Sequence, residues 1–316
     1  MTTKLQRIVL AFSGSRESST AIPWLAERYG AEVVCVTIDL GQGRELEEVR
    51  DRALANGAVR AHVLDSRDEF ARGYVLRALK AGAMSPDAAP IWAALARPLI
   101  AQQLVQIAGI EQATAIAHCG KGAAIDEAAR MLNPALRIVT PARETPPPSL
   151  PAPSVPAGRD GGGAEGAAAE QATVDVTFER GVPTGINGVS MPILDLIDSL
   201  GTIAAAHGVG RPKSRDLRDA PAAPVLHAAH RALRLFAGSE DLHRLCAIIS
   251  REYADLICRG FWFAPAREAL DAFVNTVNER MTGIVRLRLF NGECEILDAR
   301  DSPPNTQKVF AITAND

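Results

Sequence analysis

The sequence predicts an α/β domain built on a parallel sheet, followed by an α+β domain. Three observations carry the prediction. Over the first 141 residues, short apolar runs rich in β-branched residues alternate with helical patterns, the rhythm of strands joined by helical crossovers. A Pro/Gly/Ala-rich stretch then breaks the pattern at residues 145–169, and one strand, several amphipathic helices and a hairpin follow. With 316 residues, each of two domains can bury its own core.

The strands of the first part are placed at 7–12 (RIVLAF), 32–38 (EVVCVTI), 61–64 (AHVL), 113–118 (ATAIAH) and 137–140 (RIVT). Between the first two, SSTAIPWLAERYG reads as a helix with Ile22, Leu25 and Ala26 on one face, ended by Gly30 as a left-handed cap. Pro23 is read near its start, where a missing N–H costs little. Residues 44–55 form a second helix, with Glu early and Arg late as the helix dipole favours. A third covers LARPLIAQQLVQIA, with Leu99, Leu104 and Ile107 toward the sheet and Pro98 in an early turn.

Six prolines fall within residues 146–156, and Gly and Ala follow, so the segment supports neither a core nor a ladder and is read as a flexible linker or exposed loop. The expected organisation is a parallel-sheet α/β domain at 1–143, a linker at 144–172 and an α+β domain at 173–316. In the last, VDVTFERG is a strand, 192–208, 240–260 and 264–283 are amphipathic helices, and 283–297 alternates around Asn291-Gly292 as a hairpin.

Composition narrows the function classes. The hydrophobic fraction of 47%, the charged fraction of 22% and a net charge of −3 describe a globular protein without a basic field for nucleic acid. Five widely spaced cysteines (Cys35, Cys119, Cys246, Cys258, Cys294) suit reduced thiols in a cytoplasm. The apolar run in MTTKLQRIVLAF is short for a secretory signal, and no membrane segment is expected.

The first candidate site is LAFSGSRESST, residues 10–20. A turn from the carboxyl end of a parallel strand into a helix presents backbone N–H groups at the positive end of the helix dipole, where anions bind. Small residues allow close approach, and Ser13, Ser18, Ser19 and Thr20 add hydroxyls. The turn is neither GxGxxG nor GxxxxGK[ST], and Ser/Gly turns also cap helices with no ligand, so composition leaves both readings open.

LAFSGSRESS resembles the pyrophosphatase loop of argininosuccinate synthases, written A-Y-S-G-G-L-D-T-S. TIDLGQGRELEEVRDRALANGA, LARPLIAQQLVQIA, AHCGKG, ERGVPTGINGVSM, AAHGVGR, LHAAHRAL and YADLICRGFWFAPAREALDAFVNTVNERMTGIVRLRLFNG follow in that family's order. The resemblance implies a HUP-type (Rossmann-like) nucleotide-binding domain and a synthetase-type α+β domain. It also implies ATP with Mg²⁺: citrulline attacks the α-phosphorus, pyrophosphate leaves, and the amine of aspartate displaces AMP.

Carried over residue by residue, it assigns nucleotide contacts to Ala11, Ser13, Gly14, Ser18 and Ser19 in the first loop. Gly120, Lys121 and Gly122 are assigned in a second, and Thr37 to Asp39 at the end of the second strand take either an adenosine-facing or a capping role. Ser15, Arg16 and Glu17 depart from the family's Gly, Leu and Asp; were the second glycine left-handed, Ser15 would cost about 1 kcal/mol or more. Arg16 either attracts phosphate or pairs with Glu17. Against A-H-G-C-T-G-K-G-N-D, the matching stretch AHCGKGAA is two residues shorter, with Ala123 and Ala124 at the Asn-Asp pair that holds the amino acids. Glu127 stands at the citrulline-binding arginine, with Arg130 a turn later, and Ala89 and Ala94 stand at a tyrosine and a serine. The segment after HGVGR and the C-terminal extension of the family's tetramer read as shortened.

Other constellations have plainer readings. His227, His230 and His243 are read as structural rather than metal-binding, and Cys119 beside His118 as a silent core thiol. GFWFAP is read as an interdomain or subunit core rather than a ligand wall. The expectation is a diverged family member that binds a nucleotide while citrulline–aspartate ligation is lost or redirected. The alternatives are an active ligase with relocated contacts and a non-catalytic partner of a full-length relative. Expected partners are a nucleotide and an amino-acid-like small molecule, in a homo-oligomer or a hetero-oligomer with a relative, with no nucleic acid and no membrane.

Overall fold

A computed structural model describes residues 5–41, 46–83, 91–120, 122–141, 171–210 and 221–301. The chain divides into two compact units that interleave in sequence. One comprises Met1–Arg77, Ala89–Gly163 and Glu252–Leu270; the other comprises Ala78–Ala88, Ala164–Arg251 and Asp271–Asp316. Apart from residues 171 and 172, the stretch expected as a linker lies outside the described residues.

The first unit contains β1 (Arg7–Ala11), α1 (Arg16–Tyr29), β2 (Glu32–Asp39), α2 (Leu46–Ala55), β3 (Arg60–Asp65), α3 (Arg67–Phe70), a π turn (Ala71–Val75), α4 (Leu76–Lys80, shared with the other unit), α5 (Ile91–Ile110), β4 (Ala115–Ala117), α6 (Ala124–Leu132) and β5 (Arg137–Val139). The strands form a five-stranded parallel sheet in the order β3-β2-β1-β4-β5, as the alternating pattern predicts. Successive residues of β1 serve opposite faces, the period-two rule of a strand. Ile8, Leu10 and Phe12 pack with Ile22 and Leu25 of α1 and Val49 of α2. Val9 packs with Leu104 and Ile107 of α5 and Ala128 of α6.

Two helices differ from expectation. Both Pro23 and Pro98 lie inside their helices, because α1 begins at Arg16 and α5 at Ile91. Each proline gives up a backbone bond to the carbonyl four residues back, at a cost of order 3 kcal/mol. Fully buried Ile22 and Leu25 around the first, and Leu95 and Leu99 around the second, outweigh that loss. Trp262 of GFWFAP is buried inside this unit, stacked on Tyr74 at 4.8 Å and edge-on to Tyr253 at 6.2 Å. It is a core residue of the first unit.

The amino ends of this sheet are tied by one buried carboxylate. Glu111 accepts from Arg60 Nη1 at 2.7 Å, His62 Nε2 at 2.8 Å and Arg7 Nη1 at 3.3 Å. Burial pushes this carboxyl up, but the bonds from His62 and Arg60 outweigh it and hold it below the usual range.

The second unit contains β6 (Ala172–Glu179), β7 (Val182–Ile186), β8 (Val189–Ser190), α7 (Ile193–Ala206), α8 (Ala222–Ala237), β9 (Gly283–Phe290) and β10 (Glu293–Arg300), with parts of α9 (Glu240–Arg259) and α10 (Pro265–Asn278). Its sheet is antiparallel, in the order β10-β9-β6-β7-β8. The Asn291-Gly292 turn expected from sequence has φ of 49° and 84°, the left-handed pair of a tight hairpin. Arg180-Gly181 and Asn187-Gly188 repeat the device, and the second of these carries the same Asn-Gly signal, missed in the sequence.

Val174, Val176 and Phe178 of β6 and Val285, Leu287 and Leu289 of β9 are buried. On the opposite face Asp175 accepts from Arg286 at 2.6 and 2.7 Å and from Arg300 at 3.0 Å. Among the described residues no helix is long and apolar enough to cross a membrane.

His230 is buried in this unit, with Nε2 2.9 Å from Asn278 Oδ1. Asn278 Nδ2 donates to the carbonyls of Lys80 and Val274 at 3.1 and 2.8 Å, so its oxygen faces the ring and His230 is the donor. His243 Nε2 is directed instead to the Arg234 carbonyl at 3.0 Å. Burial lowers His230 to about 4, below its ordinary value of 6.5. The unfolded chain therefore takes up a proton that the folded one refuses. Stability is expected to be complete above about pH 6.5 and to decline by up to about 3 kcal/mol as pH falls toward 4. Urea melts of wild type and His230→Gln across that range check this, the variant showing a flatter profile.

Candidate functional site

Strand order places the site. From β1 the chain moves outward through β2 to β3, and β4 and β5 then line up on the other side of β1. The carboxyl ends of β1 and β4 therefore flank the point where the order reverses, the position at which open α/β sheets hold ligands. β1 and β4 pair in register, Val9 with Ile116 and Leu10 with Ala117. The two sequence motifs, residues 11–19 and 118–122, leave these neighbouring strands on the same side. Cys119 Sγ lies 3.6 Å from the carbonyl of Glu17, joining the two turns.

The first turn is built by its backbone. Gly14 has φ of 71°, left-handed, and a Cβ there would lie 3.3 Å from Val49 Cγ1. Arg52 Nη1 of α2 donates to the Gly14 carbonyl at 2.9 Å. Ser15 is extended, with φ of −73°, so the strain considered for a serine at the second glycine position does not arise. Ser15 is instead the N-cap of α1: its Oγ accepts from Ser18 N at 3.3 Å, as capping serines do.

Buried Ser18 returns a bond from its hydroxyl to the Ser15 carbonyl at 3.0 Å, and Ser13 Oγ lies 3.4 Å from Ser18 Oγ. Ser19 N–H continues the helix onto the Ser15 carbonyl at 2.9 Å. Ala11 closes β1 opposite Val36. Arg16 and Glu17 are exposed on the first helical turn.

The other sequence-assigned residues are unevenly placed. Thr37 is buried and its hydroxyl donates to the Phe12 carbonyl at 3.1 Å, where it braces the exit of β1. Asp39 Oδ1 accepts from Gly41 N at 2.9 Å, and Oδ2 lies 3.6 Å from Arg67. Gly120 and Gly122 follow β4, Gly122 with φ of 88°. Lys121 and Ala89 lie outside the described residues. Ala94 is fully buried in α5. Glu127 and Arg130 pair with each other at 2.6 Å along α6. The Cys119 thiol is pushed up to about 11, by burial and then by Glu17, and stays protonated at neutral pH.

Sequence reading passed over Asp126. It lies in the first turn of α6 with Oδ1 2.6 Å from His118 Nε2, and both residues are 2% exposed. His118 Nδ1 accepts the N–H of Gly120 at 3.1 Å. A His and an Asp eight positions apart across a Gly turn were the available signal.

A parallel sheet with helices on both faces, its two glycine turns at the switch point and an antiparallel α+β unit beside it in the chain, defines a protein of the HUP class with a second domain. The chain belongs to the argininosuccinate synthase family. Residues 7–147 match the family described as "Arginosuccinate synthase N-terminal HUP domain", and residues 163–310 match "Arginosuccinate synthase C-terminal domain". The chain is similar to the argininosuccinate synthase of Chlorobium chlorochromatii, at 35% identity over 361 residues covering 94% of this chain and 89% of the relative. It is 36% identical to that of Dehalococcoides mccartyi over 354 residues, covering 94% and 87% of the two chains. With that of Moorella thermoacetica the identity is 33% over 349 residues, covering 92% and 86%. The first alignment, 361 positions, is longer than this chain of 316, so that relative carries stretches absent here.

Substitutions at Gly14 and Ser15 separate the roles of these adjacent loop residues. Gly14→Ala places a side chain on a left-handed backbone against Val49 and is expected to cost about 1–2 kcal/mol in a urea melt. Ser15→Ala, which removes a cap, is expected to cost about 1 kcal/mol, and Ser15→Gly only a few tenths.

Proposed function

We propose that this chain is an ATP-dependent carbon–nitrogen ligase of the argininosuccinate synthase type, joining citrulline to aspartate with release of AMP and pyrophosphate. The observation that carries the reading is family membership across both halves of the chain, together with two glycine turns converging at the switch point of the sheet. The triphosphate is assigned to the turn of Ser13 and Gly14 and the start of α1, where Ser18 and Ser19 lie, with Gly120 and Gly122 on the other wall; Lys121 is assigned to it by the resemblance alone. Arg52 holds the turn by its bond to the Gly14 carbonyl.

Mg²⁺ is assigned to the triphosphate oxygens, since this ion keeps most of its own waters and needs few protein carboxylates. Among the described residues no group of three His, Cys, Asp or Glu forms a protein cage. The chemistry then consists of holding reactants in line and spreading phosphate charge. The same reading places the protein in the cytoplasm, as a homo-oligomer or with a relative.

A second reading, ligation of a different amino-acid-like acceptor, is favoured by the apolar residues at the family's substrate positions. Ala123, Ala124 and Ala94 offer no side-chain hydrogen bond where the resemblance implies Asn, Asp and Ser. Each lost bond to a charged ligand is worth about 1.5–3 kcal/mol.

Pyrophosphate release by the purified chain with ATP, Mg²⁺, citrulline and aspartate decides between them. The first reading expects release that depends on both amino acids and argininosuccinate as product. Release with a different acceptor supports the second reading, and absence of nucleotide binding by calorimetry rejects both in favour of a non-catalytic partner. Under either catalytic reading Arg52→Ala is expected to lower kcat/KM for ATP about tenfold.

A further inference from the structure

We propose that His118 and Asp126 are positioning residues that hold the Gly120 amide, at the exit of β4, through a single imidazole tautomer. The pair spans the turn: His118 follows β4, and Asp126 sits in the first turn of α6. Its backbone is anchored, since His118 N–H donates to the Val139 carbonyl at 3.2 Å.

The hydrogen-bond directions leave one arrangement. Gly120 N–H can only donate, so His118 Nδ1 is its acceptor and carries no proton. The neutral ring then holds its proton on Nε2 and donates it to Asp126 Oδ1, 2.6 Å away. In the other tautomer two N–H groups would face each other at Gly120, and a lone pair would face the carboxylate. Both residues are 2% exposed, so solvent offers little relief from such a mismatch.

Gly120 is also shaped for this role: a Cβ there would lie 3.2 Å from His118 Nδ1 and 3.4 Å from Ile125 Cδ1. A carboxylate in the first turn of α6 is further favoured by the helix dipole. Asp126 thus selects the tautomer, and the tautomer holds the amide of a turn that faces the nucleotide crevice. Its bearing on nucleotide rests on the function proposed above. The family resemblance assigns roles to the positions of Ala124 and Glu127 on either side of Asp126 and gives Asp126 none.

The test uses the full-length chain, ¹⁵N-labelled, with MgATP as the probe. Wild type is expected to show His118 protonated at Nε2 alone and a downfield Gly120 amide. Asp126→Asn keeps an oxygen acceptor and is expected to keep that signature, with MgATP affinity within about threefold. Asp126→Leu removes the acceptor, and its dissociation constant for MgATP is expected to rise about tenfold or more while the Gly120 amide shifts.

A wild-type ring protonated at Nδ1 overturns the proposal, as does a folded Asp126→Leu with unchanged Gly120 amide and unchanged affinity. Should Asp126→Leu not fold, Asp126→Asn decides: a tenfold loss of affinity with the tautomer intact also overturns it. If wild type binds no MgATP, the functional reading is lost, and the tautomer and amide signals still judge the pair.

Discussion

The pairing of β1 with β2 on one edge and β4 on the other is the constraint from which the site follows. A strand bonded on both sides cannot slip without breaking two ladders. A shift of one residue would also exchange Ile8 and Leu10 with Val9 between two differently filled cores. Because all three strands run in the same direction, the exits of β1 and β4 open on the same side. The reversal of strand order between them leaves a crevice there with no crossover filling it.

Within that crevice the demands on each residue are set by backbone conformation before chemistry. The family's loop has two adjacent glycines, and this chain keeps only the first. The geometry gives the reason: position 14 is left-handed and crowded by α2, while position 15 is extended and begins a helix. A serine suits the second position as a cap, and no such exchange is open to the first. The second turn follows the same logic, with Gly120 drawn against an imidazole that Asp126 orients.

The second unit is stabilised differently. Three two-residue turns with left-handed backbones set the strand registers, and the alternation of β6 and β9 sends apolar residues inward and Asp175, Arg286 and Arg288 outward. His230 and Asn278 form its buried polar link, with the amide of Asn278 satisfied on both of its ends. Gly181 allows this, because a Cβ there would overlap Asn278 Oδ1.

The sequence by itself determined the class of sheet, the Asn291-Gly292 hairpin, the turn after β1 and the family. These depend on periodicity and on a few residues whose backbone preferences act locally. Tertiary structure decided what local preference could not. It carried α1 and α5 through Pro23 and Pro98, because buried apolar neighbours outweigh a lost backbone bond. It turned the Thr37 hydroxyl onto Phe12 and brought Asp126 to His118. A buried polar group takes whichever partner the packed elements bring within about 3 Å, and that choice is made by residues far away in the chain.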